Sequence, residues 1–266
     1  MRLKFTLRSA SKSIQANFYY HFSAAIYDLL RLGSPEFSEF LHNKGYRLES
    51  GKNYKLFSFG VEFSQIKVVK DHFYFIDPAT TLYVSSPKAE EFFTSFVLGT
   101  LNKSIFKVGT IDRYTTFIIE ELAGLGEPEI KESMNFRLLA PMVISKPVEY
   151  NGKQSTRFLR PDEEEEASRI LSQNLINKHL LITGEDLTGK ASVVLEWDKD
   201  YIRRRDRVTK KITVNPNSPK ATDVIGILAP FKITGDVRLI KAGYDCGFGN
   251  KNSMGFGLAQ IKKEDK

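Results

Sequence analysis

Hydrophobic and polar positions alternate with two different periods along this chain, and the order of the periods predicts its elements. Leu3, Phe5 and Leu7 share one face of the first eight residues and Arg2, Lys4 and Arg8 the other, the two-residue repeat of a strand. From Tyr19 to Arg31 the spacing changes to that of a helix, with Phe22, Ala25, Ile26, Leu29 and Leu30 as its apolar stripe and Gly33 as its end. Tyr27 falls about 130° from the centre of that stripe, which predicts a position outside the core. Ser34-Pro35 opens a short second helix whose Phe37, Phe40 and Leu41 face inward before Gly45. Strand character returns over Leu56 to Phe63, Phe73 to Ile76 and Leu82 to Ser85. A helix follows over Pro87 to Leu101, then strands over Ile105 to Val108 and Thr115 to Ile119.

The second half repeats the plan. Phe136 to Ser145 reads as a strand, and Pro161 precedes a helix whose start carries Asp162, Glu163, Glu164, Glu165 and Glu166. Acids there complement the positive end of a helix dipole, a simpler account than a metal site. Val193 to Trp197, Tyr201 to Val214, Val224 to Ala229 and Val237 to Ile240 read as strands, with Trp197 in the core. Strand, helix, strands, helix, strand is the order of a ferredoxin-like unit. The expected fold is therefore α+β: two ferredoxin-like (RRM-like) domains in tandem, over residues 1–123 and 129–266. The turn-forming Gly124-Leu125-Gly126-Glu127-Pro128 is the candidate linker.

Composition narrows the function classes. With 41% hydrophobic and 12% aromatic residues among 266, the chain can fill two cores. One cysteine, Cys246, excludes an intramolecular disulfide and a cysteine-based zinc cluster, which fits a reducing cytoplasm. No metal or cofactor is expected. The N-terminus lacks the apolar core of a secretion signal, and no apolar run is long enough to predict a membrane span. A formal net charge of +7 favours an anionic partner. The charge is concentrated in Asp198 to Lys211, where seven cations, among them Arg203, Arg204, Arg205 and Arg207, stand against three acids. Tyr201 to Lys211 within it reads as a basic hairpin able to track phosphates, or as a solvated face.

Near the C-terminus, Gly247-Phe248-Gly249 and Gly255-Phe256-Gly257 flank Asn250-Lys251-Asn252-Ser253-Met254. Glycine at both necks lets backbone N–H groups approach a phosphate closely, with Lys251 as a cation at the tip. Glycine pairs around an aromatic also serve as bends in edge strands. Dinucleotide-type loops are a poor match, because they precede a long element and only Leu258 to Lys266 follows here.

The stretch from Gly243 to Gly257 closely resembles the glycine-rich signature of CRISPR-associated endoribonucleases that cut repeat RNA, within the RAMP superfamily. The likeness extends through Met134-Asn135-Phe136-Arg137-Leu138-Leu139-Ala140-Pro141 and the Leu159 to Leu181 helix. It implies two ferredoxin-like domains with a C-terminal glycine-rich loop, and metal-independent processing of CRISPR repeat RNA. In that chemistry the 2′-OH attacks the adjacent phosphate, leaving a 2′,3′-cyclic phosphate and a 5′-OH. A lone histidine such as His42 is ordinarily structural or merely exposed, although its place at a helix end favours imidazolium. Phe40-Leu41-His42 looks like the motif carrying the family's general acid/base. Ala25 to Leu30 resembles the helix bearing the tyrosine, here Tyr27, of a Tyr-His-Lys triad. Lys55, before Leu56-Phe57, matches the lysine; Lys52 and Lys44 remain alternatives. The expected RNA contacts are Lys52, Arg203, Arg204, Arg205, Arg207, Gly247, Gly249, Lys251, Asn252, Ser253, Gly255 and Gly257. A non-cleaving repeat-RNA-binding protein of the same fold is the alternative, and a domain binding a small phosphoester is a more distant one. The resemblance accommodates a lone chain, a homodimer or a subunit of a multisubunit CRISPR effector complex.

Overall fold

The computed structural model describes residues 1–150, 152–216 and 218–262. Its contacts divide the chain into two compact units: Met1–Glu127 with Ser253–Gly255, and Pro128–Asn252 with Phe256–Lys266.

In the first unit, β1 (Arg2–Ser9) and β2 (Ser13–Gln15) precede helix α1 (Tyr19–Gly33) and the short α2 (Pro35–Glu39). A π-turn over Phe40–Lys44 leads through β3 (Tyr46–Arg47) and β4 (Asn53–Tyr54) to β5 (Ser58–Val69) and β6 (His72–Ser85). Helix α3 (Ala89–Asn102), β7 (Ile105–Gly109) and β8 (Tyr114–Leu125) complete the unit. The sheet is antiparallel. β6 is flanked by β5 on one side and by β1 and β2 on the other, β1 pairs with β8, and β7 forms the far edge. The order β5-β6-β1-β8 is that of a ferredoxin-like βαββαβ unit. Leu3, Phe5 and Leu7 are buried as their alternation predicts, and Phe22, Phe96 and Phe117 fill the space between sheet and helices.

Several local expectations are corrected. Gly33 does not cap α1 through a left-handed turn: it is the last helical residue, and a Cβ there would lie 1.9 Å from the Ser95 carbonyl oxygen. Gly99 on α3 meets the Leu29 carbonyl in the same way. These glycines let the two helix backbones touch. The strands expected over Phe73 to Ile76 and Leu82 to Ser85 form one continuous β6. It passes Pro78 where the register to β5 shifts, the position in a sheet that tolerates a missing N–H. Arg2, expected on an outer face, is buried. The supposed linker residues Gly124 and Leu125 pair with β1 as the end of β8.

The second unit contains β9 (Ser133–Leu138), the hairpin β10 (Ser145–Tyr150) and β11 (Lys153–Phe158), and helix α4 (Glu164–Thr183). It continues with β12 (Val193–Trp197), a helical turn α5 (Lys199–Arg203), β13 (Thr209–Val214), β14 (Thr222–Ile227), β15 (Phe231–Gly235), α6 (Val237–Cys246) and β16 (Ala259–Ile261). The sheet order β12-β15-β9-β16 reproduces the ferredoxin-like arrangement, with β10/β11 and β13/β14 as added hairpins. Register places Trp197, Phe231 and Phe136 in one row across it. All three are buried, and the Phe248 ring packs 5.2 Å from both Phe136 and Phe231.

Val237 to Ile240 is helical rather than extended. Asp236 caps the helix, its carboxylate accepting from the Arg238 N–H at 2.9 Å, and Leu239, Ile240, Ala242, Gly243 and Cys246 lie on its buried side. A four-residue window is too short to separate the two periods. Tyr201 to Lys211 is likewise not a hairpin. Asp198 caps a helical turn by accepting from the Tyr201 N–H at 2.8 Å, and the strand begins only at Thr209. The acids near the start of α4 are committed to cations: Glu163 to Arg157, Glu164 to Lys199, and Glu166 to Lys146 and Arg169. Among the described residues no helix is long and apolar enough to cross a membrane.

Candidate active site

Tyr27, His42 and Lys55 come together in the first unit, although they arise from three different local structures. Tyr27 lies in the middle of α1. Its ring meets Phe57 edge-on at 5.7 Å and His42 edge-on at 5.5 Å, so the expectation of a surface tyrosine needs correcting: it is half-buried. Phe57 belongs to the segment leading into β5 and extends the core beneath α1 beyond the stripe that α1 shows by itself.

His42 owes its position to the π-turn. Ser34 caps α2, accepting from the Phe37 N–H at 3.4 Å, and Ser38 Oγ donates to the Tyr27 carbonyl at 3.2 Å, which fixes α2 against α1. Leu41 then enters the core. The Gly45 N–H donates to the Phe40 carbonyl at 2.7 Å, five residues back, and the widened turn leaves His42 exposed beside the tyrosine. The Asn43 Oδ1, which can only accept, lies 3.0 Å from His42 Nδ1. A proton on Nδ1 would satisfy that contact and leave the lone pair on Nε2.

Lys55 reaches back from beyond β4, its Nζ donating to the His42 carbonyl at 2.8 Å. Two backbone features allow this. Leu56 adopts φ +50°, a left-handed conformation rare for a bulky residue, with its carbonyl held by Ser86 Oγ at 2.9 Å. Gly45, at φ +66°, leaves room for the lysine stem, since a Cβ there would lie 3.0 Å from Lys55 Cδ and 2.6 Å from the Tyr54 oxygen. Lys52 is exposed with its Nζ over the Tyr54 ring at 5.1 Å, and Lys44 is exposed at the end of the π-turn. Lys55 is thus the lysine brought against His42.

Burial sets the protonation states. It pushes the Tyr27 phenol up to about 12, opposed in part by a hydrogen bond with the Ser253 side chain. Tyr27 is therefore a proton donor, not a phenolate, at neutral pH. Burial lowers the Lys55 ammonium below the ordinary lysine value. Ser253 is also held through its carbonyl, which accepts from Ser23 Oγ at 2.7 Å, and Gly255 fits against Tyr19 and Phe59, where a Cβ would come within 2.8 Å of both rings. Ser253 is the one member of the glycine-rich segment placed against the cluster by these bonds.

The remainder of that segment departs from an open phosphate cradle. Gly247, Gly249, Gly255 and Gly257 are all buried. The Phe248 N–H donates to the Gly257 carbonyl, Asn250 to Val143 and Gly257 to Pro141, at 2.8, 2.8 and 2.9 Å. The glycines let Phe248 enter the core and the backbone pass close to its neighbours. Beneath them lies a residue that sequence reasoning missed: Lys178 of α4, 1% exposed, whose ammonium donates to the carbonyls of Gly247 and Gly249 at 2.6 and 2.8 Å and to Asn252 Oδ1 at 2.9 Å. Asn174, one turn earlier, bonds Asn250 at 3.1 Å. The signal was Asn174 and Lys178 sharing the helix face of Leu171 and Leu175. Lys251 is exposed at the tip, beside the partly buried Asn252. Arg203, Arg204, Arg205 and Arg207 are exposed around α5 and the loop after it; Arg203 pairs with Asp200, and the Arg205 guanidinium lies 5.2 Å from the Tyr201 ring centre.

Two ferredoxin-like units, with a tyrosine, histidine and lysine cluster in the first, define an α+β protein of the tandem ferredoxin-like class. Residues 125–261 match the model of the family described as CRISPR associated protein Cas6, C-terminal, and residues 13–122 match the corresponding N-terminal model. The chain belongs to the Cas6 family. It is 28% identical to CRISPR-associated endoribonuclease Cas6 1 of Methanocaldococcus jannaschii, an alignment covering 100% of this chain and 94% of the relative. A solved structure described as CRISPR associated protein Cas6 is 26% identical and superposes with a TM-score of 0.74 over 99% of both chains. A Cas6-related protein from Pyrococcus furiosus, at 21% identity, has the same fold, with a TM-score of 0.79 over 100% of this chain and 99% of its own.

Proposed function

We propose that the protein is an endoribonuclease that cleaves CRISPR repeat RNA by 2′-OH attack, without a metal ion. The observation that carries the reading is the convergence of Tyr27, His42 and Lys55, with Ser253 on the tyrosine hydroxyl. RNA supplies its own nucleophile, so the protein must supply proton transfer, a positive charge and alignment. His42 Nε2 takes the 2′-OH proton or, as imidazolium, delivers one to the departing 5′-oxygen. The Lys55 ammonium offsets the growing charge on the phosphorane. Tyr27, kept protonated by burial, donates to a phosphate or ribose oxygen. The P–O bond to the 2′-oxygen forms as the P–O bond to the 5′-oxygen breaks, giving a 2′,3′-cyclic phosphate and a 5′-OH. All three groups come from one chain, so neither a homodimer nor an effector complex is needed to complete them.

Single-turnover incubation with repeat RNA in EDTA, followed by end-group analysis, tests the reading. A cyclic phosphate and a 5′-OH are expected, with no product when the nucleotide at the cleavage site is 2′-deoxy. Cleavage of the 2′-deoxy RNA would remove the mechanism, and tight binding without cleavage would establish the non-cleaving alternative. Replacing Arg203, Arg204 and Arg205 together with alanine is expected to weaken RNA binding and to flatten its salt dependence. The log–log slope changes by about 0.7 for every phosphate that is no longer neutralised. An unaltered slope would show that the arginines only solvate their helical turn. Gly45→Ala is expected to slow cleavage by about 10- to 100-fold with RNA affinity retained, because the added methyl displaces Lys55. A wild-type rate for that variant would separate Lys55 from the chemistry.

A further inference from the structure

A polar cavity lies elsewhere in the first unit, and none of the groups assigned above lines it. It has a volume of about 270 Å³ and is bounded by β2, the start of α1, the start of β6 and the β7–β8 turn. His21 lines it from the first turn of α1. That residue precedes Tyr27 by six positions, which separates them by about 9 Å along the helix axis and about 120° around it.

The lining combines unused polar groups with an aromatic wall. His21 is only 9% exposed, yet its ring nitrogens have no hydrogen-bond partner among the described residues. Burial also holds it below the ordinary histidine value, so it is a neutral donor and acceptor. The Arg113 guanidinium at the β7–β8 turn is exposed and likewise has no hydrogen bond or ion pair among the described residues. Asp71, the nearby acid, is engaged by His72 Nδ1 at 2.9 Å. Tyr114 is 47% exposed, and Lys107 covers one face of its ring at 4.3 Å, leaving a flat platform with a cation behind it. Phe18 supplies an apolar floor.

We propose that this cavity binds one unpaired RNA nucleotide, with Arg113 on its phosphate, His21 on a polar edge and Tyr114 against its base. The assignment rests on the reading of the protein as an RNA enzyme. A simple anion would use the arginine and leave the tyrosine platform idle, whereas a nucleotide uses both, its base stacking on the exposed ring. The volume lies just below the usual range of about 300–1,000 Å³ for ligand pockets, which suits one nucleotide and not several.

The test titrates the full-length protein with AMP, with UMP and with inorganic phosphate while following the imidazole C2–H resonances. The four histidines can be assigned through His21→Gln and His72→Gln. Saturable movement of the His21 and His72 resonances by a nucleotide is expected, with half-saturation raised about tenfold in Arg113→Ala. That variant should also cleave repeat RNA at the wild-type rate when the RNA is saturating and more slowly when it is not. Unmoved resonances, an unchanged half-saturation in Arg113→Ala, or equal movement by phosphate alone would each overturn the assignment. The nucleotide titration is independent of cleavage: a protein that failed to cut RNA would refute the proposed function and still leave this readout to decide the cavity.

Discussion

His42→Ala is expected to slow single-turnover cleavage of repeat RNA by about 10²- to 10⁴-fold, the usual contribution of a positioned acid–base group. Stability should stay within about 0.5 kcal/mol of wild type, since the imidazole is exposed and its replacement leaves no cavity. RNA affinity should also be retained, because the residue acts on the proton and not on the phosphate chain. Rapid quench with end-labelled RNA measures the rate, and urea unfolding checks the fold. A variant that cuts within a few-fold of wild type would move the acid–base role away from this histidine.

Lys178→Met is expected to have the largest effect on stability. The methionine fills most of the lysine's volume but donates nothing, so the carbonyls of Gly247 and Gly249 and the Asn252 amide oxygen each lose a partner beneath the surface. Leaving a buried acceptor without its donor costs about 1–3 kcal/mol each, so the loss of all three is expected to reach several kcal/mol. In urea the unfolding midpoint of the full chain should fall clearly, with the slope unchanged if the transition stays two-state. An unfolding curve superimposable on wild type would show that the loop keeps its shape without the ammonium. Cleavage should be slowed in folded Lys178→Met protein as well, because Asn252 precedes Ser253, the residue that bonds the Tyr27 hydroxyl.

The difference between His42 and Lys178 shows which parts of the site are open to reading from sequence. His42 belongs to a short motif with an unusual residue at a helix end, and its likeness to a known pattern singles it out. Lys178 sits in an ordinary-looking helix, where a lysine is nearly always solvated. Only its place on the same face as Leu171 and Leu175 hints otherwise, and nothing local says that a glycine-rich segment 70 residues later brings two carbonyls to meet it. The glycine ribbon itself suggests an open cradle because φ freedom and missing bulk can serve a ligand or the chain equally. Its four glycines serve the chain, and Ser253 is the residue set against the tyrosine.

The errors in secondary structure have a similar origin. Val237 to Ile240 reads as a strand when taken alone and becomes helical because Asp236 caps it and residues as far as Cys246 share one buried side. Tyr201 to Lys211 reads as a hairpin when taken alone, yet the Asp198 carboxylate closes a helical turn first.

By itself the sequence determined the two ferredoxin-like units, because periods of two and 3.6 residues are imposed locally by which side chains must leave water. It also determined the family and nominated Tyr27, His42 and Lys55. The tertiary structure decided which lysine meets the histidine, how deeply the tyrosine is buried and what supports the glycine ribbon. Each of those depends on groups far apart in the chain, and desolvation, the cause of the Tyr27 and Lys55 shifts, is a property of everything packed around a group and not of its neighbours in sequence.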